Sequence, residues 1–346
     1  MVKLVLLGIA HPHAEFWANA WKAHPRAELV GVWDENKQAA ADFASRHGVL
    51  CFSTREEALA QEDVTAVGVC AENARHADYV IAAAEHKKDI LCEKPTATTL
   101  EDCQRMMRAI EQADVRYMQA FPMRVDPVNT RIKELLDSGE LGRVLSFRKR
   151  HGNGWAAEGT IPASFRWFTD PAMAGYGAFM DEGIHAADFL IWMFGRPLAV
   201  TARIPASSSG LAVDDNGIAI VEFENGVIGT MQSSWTFTAG GVTTEIYAQK
   251  GAILQEYNDG ASTTVNGENN FPLRIYRAGQ PLAGWESPRM PTNFKVIHER
   301  VASRYIDCLE SGDPFPSTIQ DGYAALRLIL AAYLSAKQSR RICLED

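Results

Sequence analysis

The chain has 346 residues, 47% hydrophobic and 22% charged, a composition that excludes a disordered or collagen-like chain and suits two globular domains. Asp plus Glu (43) outnumber Lys plus Arg (34), and the net charge of −9 argues against nucleic acid or anionic membrane surface as a partner. The six cysteines are scattered with no Cys-x-x-Cys pair, residues 1–10 carry no signal-peptide cleavage site, and the longest apolar stretch near the C-terminus, residues 326–336, is interrupted by Arg327, so reduced thiols and a cytoplasmic location are expected.

Residues 3–7 form a short apolar run ending at Gly8, the pattern of a buried parallel strand. Residues 14–24 have helical spacing, with Phe16, Trp17, Ala20 and Trp21 on one side. A second strand (27–33) and a second helix (36–47), stopped by Gly48, follow. Strands at 64–70, 89–92 and 115–120 are separated by helices at 74–86 and 100–112, and this alternation predicts a parallel α/β sheet over a first domain, 1–121. After Phe121-Pro122 the rhythm changes to a helix (128–137), a strand (144–149), a Gly- and aromatic-rich stretch (151–177) and a helix (182–194). From 198 to 257 the pattern is strands, with 217–223 and 227–235 flanking the hairpin signal Asn225-Gly226, and helices at 294–309 and 322–336 close the chain. Residues 122–346 are thus expected to form a second, α+β domain.

Gly8-Ile9-Ala10-His11-Pro12-His13 occupies the place of a dinucleotide-binding turn, between the first strand and the first helix. Only the first of the three usual glycines is present; Ala10 is small enough to admit a pyrophosphate at a helix N-terminus, or the segment is a plain strand-to-helix turn. Asp34 ends the second strand, where a carboxylate accepts from the adenosine ribose hydroxyls or caps the next helix. No Arg follows it to receive a 2′-phosphate, so NAD is expected rather than NADP.

With Glu93-Lys94-Pro95 in view, the chain resembles the Gfo/Idh/MocA oxidoreductases, the glucose–fructose oxidoreductase and inositol dehydrogenase family, over nearly its whole length. Asn73 and His76 match the family's Asn-x-x-His, residues 93–95 its E-K-P, Arg124 and Pro127 its Arg-containing stretch, residues 139–144 its G-x-(I/L)-G-x-V, and Asp181-x-Gly183-x-His185-x-x-Asp188 its D-x-G-x-H-x-x-D. The missing glycines, and Ala71-Glu72 in place of a Thr-Pro pair, depart from the pattern. The resemblance implies a Rossmann domain followed by an α+β domain with a large open, mostly antiparallel sheet. It also implies a cofactor site drawing on Gly8, Ile9, Ala10, His11, His13, Asp34, Asn73, His76, Glu93 and Lys94.

Asp181 and His185 are four apart and would share a helix face, with Asp188 one turn on in a structural role. Oxidising a secondary alcohol needs a base for the hydroxyl proton while hydride leaves the carbon: His185 suits the base, Lys94 a charge or proton relay beside the oxygen, and Asp181 a substrate hydrogen bond or tuning of the imidazole. These three are expected to meet beside the nicotinamide. Arg124, Trp155, Arg166 and Trp167 are candidates for a sugar or cyclic polyol, or else core and subunit contacts. His11-x-His13 has the look of metal ligands, but no carboxylate or Cys stands beside the pair in sequence, and no metal is expected. The favoured function is an NAD-dependent sugar or polyol dehydrogenase; NAD-dependent glycoside hydrolysis and a non-catalytic dinucleotide-binding regulator are the alternatives. Apolar residues on both faces of the later strands (Ile218, Ile220, Val221, Val227, Ile228) predict a homodimer or homotetramer.

Overall fold

The computed structural model of the protein describes residues 1–238, 241–257, 271–279, 284–290 and 294–344. The chain runs β1 (Val2–Leu7), α1 (His13–Ala23), β2 (Ala27–Trp33), α2 (Lys37–His47), β3 (Leu50–Cys51), α3 (Arg55–Leu59), β4 (Ala66–Val69), α4 (His76–Glu85), β5 (Asp89–Cys92), α5 (Leu100–Ala113) and β6 (Tyr117–Gln119). It continues through α6 (Pro127–Asp137), β7 (Val144–Gly152), α7 (Trp155–Glu158), α8 (Pro171–Ala174), α9 (Ala178–Asp181), α10 (Gly183–Phe194), β8 (Pro197–Arg203), β9 (Asn216–Phe223) and β10 (Ile228–Ser234). Last come β11 (Val242–Ala248), β12 (Gly251–Tyr257), β13 (Leu273–Arg277), β14 (Trp285–Glu286), α11 (Phe294–Ser311), α12 (Ile319–Gln338) and β15 (Ile342–Cys343).

Two units divide these elements. The first holds Met1–Pro122, Pro162–Gly175 and His298–Leu326. Its six strands are all parallel, in the order β3-β2-β1-β4-β5-β6. Leu4, Val5, Leu6 and Leu7 of β1 are wholly buried, as a central strand covered on both faces must be. The helices are bounded as their sequences dictate: Asn36 Oδ1 accepts from Ala39 N–H at the start of α2, Gly48 ends it at φ +65°, and Thr99 Oγ1 accepts from Asp102 N–H at the start of α5. The strand order reverses between β1 and β4, and the crevice beyond their carboxyl ends is where an open α/β sheet binds its ligand. β3 and α3, two and five residues long, carry too few residues for a period to show in sequence.

The second unit holds Met123–Ile161, Tyr176–Ile297 and Arg327–Asp346. Its nine-stranded sheet, ordered β14-β13-β12-β11-β7-β10-β9-β8-β15, is antiparallel except for the parallel pair β7–β10. The hairpin expected at Asn225-Gly226 joins β9 to β10. One face of the central strands carries buried Ala219, Val221, Phe223 and Met231, while Ile218, Ile220, Ile228 and Tyr247 are exposed on the other. Val221 and Val227 are therefore core residues, and the exposed apolar set is smaller than the strand composition alone suggests.

The expectation of Asp181 and His185 on one helix is corrected by this structure. Asp181 closes α9, Glu182 breaks the regular helix, and α10 begins at Gly183. Glu182 keeps helix-like dihedrals (φ −90°, ψ −35°), so the interruption is one residue long. Asp214 anchors the entry to α9: its carboxylate accepts from Gly177 N–H (3.1 Å), Phe179 N–H (2.8 Å) and Tyr333 O–H (2.7 Å).

Candidate functional site

In the first unit the chain leaves β1 through Gly8 at φ +79°, a conformation natural to glycine. A Cβ there would stand 2.5 Å from Ala71 Cβ, so the β1 turn and the end of β4 touch backbone to backbone. Asp34 at the end of β2 holds the turn: one carboxylate oxygen accepts from Ile9 N–H at 2.8 Å and the other from Asn36 N–H at 2.7 Å. Each oxygen retains a further lone pair, which is what a ribose diol needs. Lys37 Nζ is directed to the carbonyls of Asp34 (3.2 Å) and Ser53 (2.7 Å), and Arg75 pairs with Glu35 and Glu72.

The departures from the glycine fingerprint have structural consequences. Pro12 brings no N–H, and His13 N–H is taken by His11 Nδ1 (3.2 Å), so the start of α1 offers a pyrophosphate fewer backbone donors than a glycine-rich loop. His13 instead reaches across to Glu93, Nδ1 to Oε1 at 3.1 Å, and its ring lies 3.7 Å from that of His298 and 4.2 Å from that of His11. The carboxylate that sequence proximity could not supply to His11-x-His13 thus comes from the end of β5, and ligating atoms of the three residues lie within 4.8 Å of one another. Burial, with His13 next, pushes the His11 imidazole well below its ordinary range and holds it neutral. His11 Nε2 and Asn73 Oδ1 are buried with no hydrogen-bond partner among the described residues, and polar groups of NAD would satisfy them, so the cradle fits that cofactor.

Lys94 is buried beside this cradle and precedes a cis bond to Pro95. His76 clamps the segment, with Nδ1 2.8 Å from Pro95 O and Nε2 3.1 Å from Ala71 O, and Gln119 Nε2 donates to Glu93 O (3.1 Å). Asn73 Nδ2 donates to Ala174 O at 3.0 Å. Trp167, a candidate for substrate, is placed in this unit against the cofactor turn: Nε1 donates to Ala10 O at 3.1 Å and the ring stacks on Phe168. Arg166, one residue before, is exposed.

The second unit gathers Asp181 and His185 with side chains the motif did not name. Trp235 Nε1 donates to Asp181 Oδ2 at 3.1 Å. The His185 ring stacks on His151, from β7, with centroids 4.9 Å apart. His151 Nε2 lies 3.3 Å from Glu182 Oε2, and Glu182 Oε1 accepts from Asn153 Nδ2 at 2.5 Å. Gly183 leaves room for α12 against α10: a Cβ there would stand 3.1 Å from Ile329 Cδ1. Trp155 borders the group, its N–H donating to Asn153 Oδ1 and its ring 6.4 Å from that of Trp235. Arg124, a candidate for substrate hydroxyls, instead directs its guanidinium onto Asp188 at 2.7 Å. His151, Asn153, Glu182 and Trp235 escaped sequence reading because they come from strand ends and a helix break; the only hint was the polar His151-x-Asn153 at the head of the aromatic-rich stretch.

The chain matches the description "Oxidoreductase family, NAD-binding Rossmann fold" over residues 2–121 and "GFO/IDH/MocA C-terminal domain" over residues 129–254. It is 30% identical to levoglucosan dehydrogenase of Pseudarthrobacter phenanthrenivorans over 265 residues, 68% of this chain and 67% of that protein. It is 25% identical to myo-inositol 2-dehydrogenase of Thermotoga maritima over 92% of each chain. Among solved structures, GenD2 from gentamicin A biosynthesis in complex with NAD superposes with a TM-score of 0.84 at 26% identity, covering 100% of this chain and 97% of that one.

Proposed function

Because the chain belongs to the Gfo/Idh/MocA family of NAD-binding oxidoreductases, we propose that it is a dehydrogenase acting on a secondary alcohol of a sugar, inositol or related polyol. The observation that carries this reading lies in the second unit, where the buried imidazole of His185 stacks on His151 and the buried carboxylate of Asp181 accepts from Trp235 Nε1. Levoglucosan and inositol dehydrogenases among the relatives support a cyclic polyol as the substrate class.

Bound NAD supplies the hydride acceptor. The chain's residues do the rest: His185 takes the hydroxyl proton, Lys94 places a positive charge by the oxygen that becomes negative, and Asp181 fixes the substrate or the imidazole. Asp34 would hold the ribose, and His76 and Gln119 keep the Lys94 segment in place through Pro95 O and Glu93 O. Trp155, whose ring borders that of Trp235, would offer an apolar face to C–H surfaces of the sugar.

We further propose assembly through the exposed face of the nine-stranded sheet, where Ile218, Ile220, Ile228 and Tyr247 stand open, as a homodimer or homotetramer. No helix among the described residues is long and apolar enough to cross a membrane, and a cytoplasmic location is part of this reading. Incubation of purified protein with NAD and a panel of sugars, inositols and sugar acids tests the activity. Stoichiometric NADH formation with one of them supports a dehydrogenase; glycoside cleavage without net NADH, or no turnover at all, contradicts it.

A further inference from the structure

Two imidazoles stack in the second unit, and only one of them belongs to the family motif. His185 and His151 have centroids 4.9 Å apart and ring planes 28° from parallel. Both are buried, and so is Glu182, whose Oε2 lies 3.3 Å from His151 Nε2. Glu182 is held in turn by Asn153 Nδ2, so its carboxylate is fixed beside His151 rather than swinging in solvent. Stacked rings at this distance do not both carry a proton cheaply, because the second positive charge is added next to the first in a water-poor site.

Resting on the reading of His185 as the base, we infer that Glu182 and His151 form a charge-holding pair that keeps His185 unprotonated. A proton taken up by this group settles on His151, where the Glu182 carboxylate stabilises it, and the imidazolium, the ring in direct contact with His185, then opposes protonation of His185. His185 thereby stays a base at pH values where an isolated imidazole would be protonated. Glu182 and His151 are positioning residues in this scheme: they act on substrate through His185.

Among the described residues, Asp181, Lys149 and Asp188 on α10 and the neighbouring elements each have a partner of their own. From α9 comes Asp181, already accepting from Trp235 Nε1. From β7 comes Lys149, whose ammonium lies over the Phe189 ring at 4.4 Å and donates to Thr244 Oγ1 at 2.8 Å. On α10 itself Asp188 is paired with Arg124. The described residues of β10 add serines Ser233 and Ser234, and α12 brings Ile329 near Gly183, neither of them titrating groups.

The readout is the position of the acid limb of kcat/KM against pH, whatever happens to the height of the plateau. Glu182→Gln removes the charge and keeps an acceptor for Asn153; His151→Phe keeps a ring against His185 and removes the second proton site. Each should move the limb to higher pH by about one unit, the size of a lost like-charge interaction. Glu182→Asp, which keeps the charge, should return the limb towards its wild-type position. A limb that stays in place in either folded variant, or that moves to lower pH, overturns the inference and leaves the pair a purely structural contact. Should Glu182→Gln fail to fold, His151→Phe alone decides. His185→Ala separates the two readings: if it kills turnover while the limb in the other variants is immobile, only this inference falls, and if it keeps turnover, the assignment of the base falls first.

Discussion

Arg124 grips Asp188 through two nitrogens, Nη2 at 2.7 Å from Oδ1 and Nε at 3.0 and 3.2 Å from the two oxygens, with the side chains 8% and 1% exposed. Such a pair is costly to break from one side, since the partner is left as a buried, uncompensated charge. Asp188→Ala should therefore destabilise the fold by about 3–5 kcal/mol, whereas Arg124→Met with Asp188→Leu should recover most of that loss. Chemical denaturation of the three proteins checks it; equal stability of Asp188→Ala and wild type would contradict a structural role for Asp188.

Gly8 makes a second prediction. An alanine there must hold a φ of +79° and place its Cβ 2.5 Å from Ala71 Cβ, so both backbone strain and overlap oppose it. Gly8→Ala should cost about 1–3 kcal/mol of stability and weaken NAD binding, because the turn that carries the cofactor must shift. Adding Ala71→Gly removes only the Cβ contact; Ala71 Cα at 2.7 Å and N at 2.9 Å remain, so the double variant should recover little of the affinity in a calorimetric titration.

Cofactor choice follows from Asp34. Its carboxylate is fixed by Ile9 and Asn36 N–H groups at the end of β2, and in the proposed cofactor site it would accept from the ribose diol and repel a 2′-phosphate. Lys37 is turned to backbone carbonyls, and Arg75 is engaged by Glu35 and Glu72. NAD should bind at least about tenfold more tightly than NADP, about 1.4 kcal/mol. Asp34→Ala should narrow that gap. Equal or tighter binding of NADP by the wild type in a fluorescence titration would refute the assignment.

The sheet face predicts association. Ile220 sits opposite Thr230 and Thr201 on the open face, flanked by Ile218 and Ile228. Ile220→Lys should shift a dimer or tetramer towards monomer without unfolding it, since Ile220 is exposed in the single chain. Light scattering that finds only wild-type monomer at micromolar concentration would contradict the proposal.

The parallel sheet was readable because buried strands and amphipathic helices alternate with capping residues between them, as at Asn36 and Gly48. Segments Pro162–Gly175 and His298–Leu326 return to the first unit without any local signal, since long-range packing leaves no periodicity. Candidate residues such as Lys94 and His185 could be singled out because each lies in a motif on one short segment. Where a contact joins a strand end to a distant helix end, as Glu93 with His13 or His151 with Glu182, spacing along the chain carries no trace of it. The short helix α9 before Glu182 was hidden for a related reason: its entry is fixed by Asp214, which accepts from Gly177 and Phe179 N–H across more than thirty residues of chain.

The central claim is that His185 is the base of an NAD-dependent alcohol oxidation. Its most direct test is the turnover of His185→Ala with NAD and the substrate found in the panel, alongside NAD binding by the same variant. The account predicts a fall in kcat of about 10²–10⁴ with NAD affinity nearly unchanged, the mark of a lost general base. Near-normal turnover by a folded, NAD-binding His185→Ala protein would contradict it.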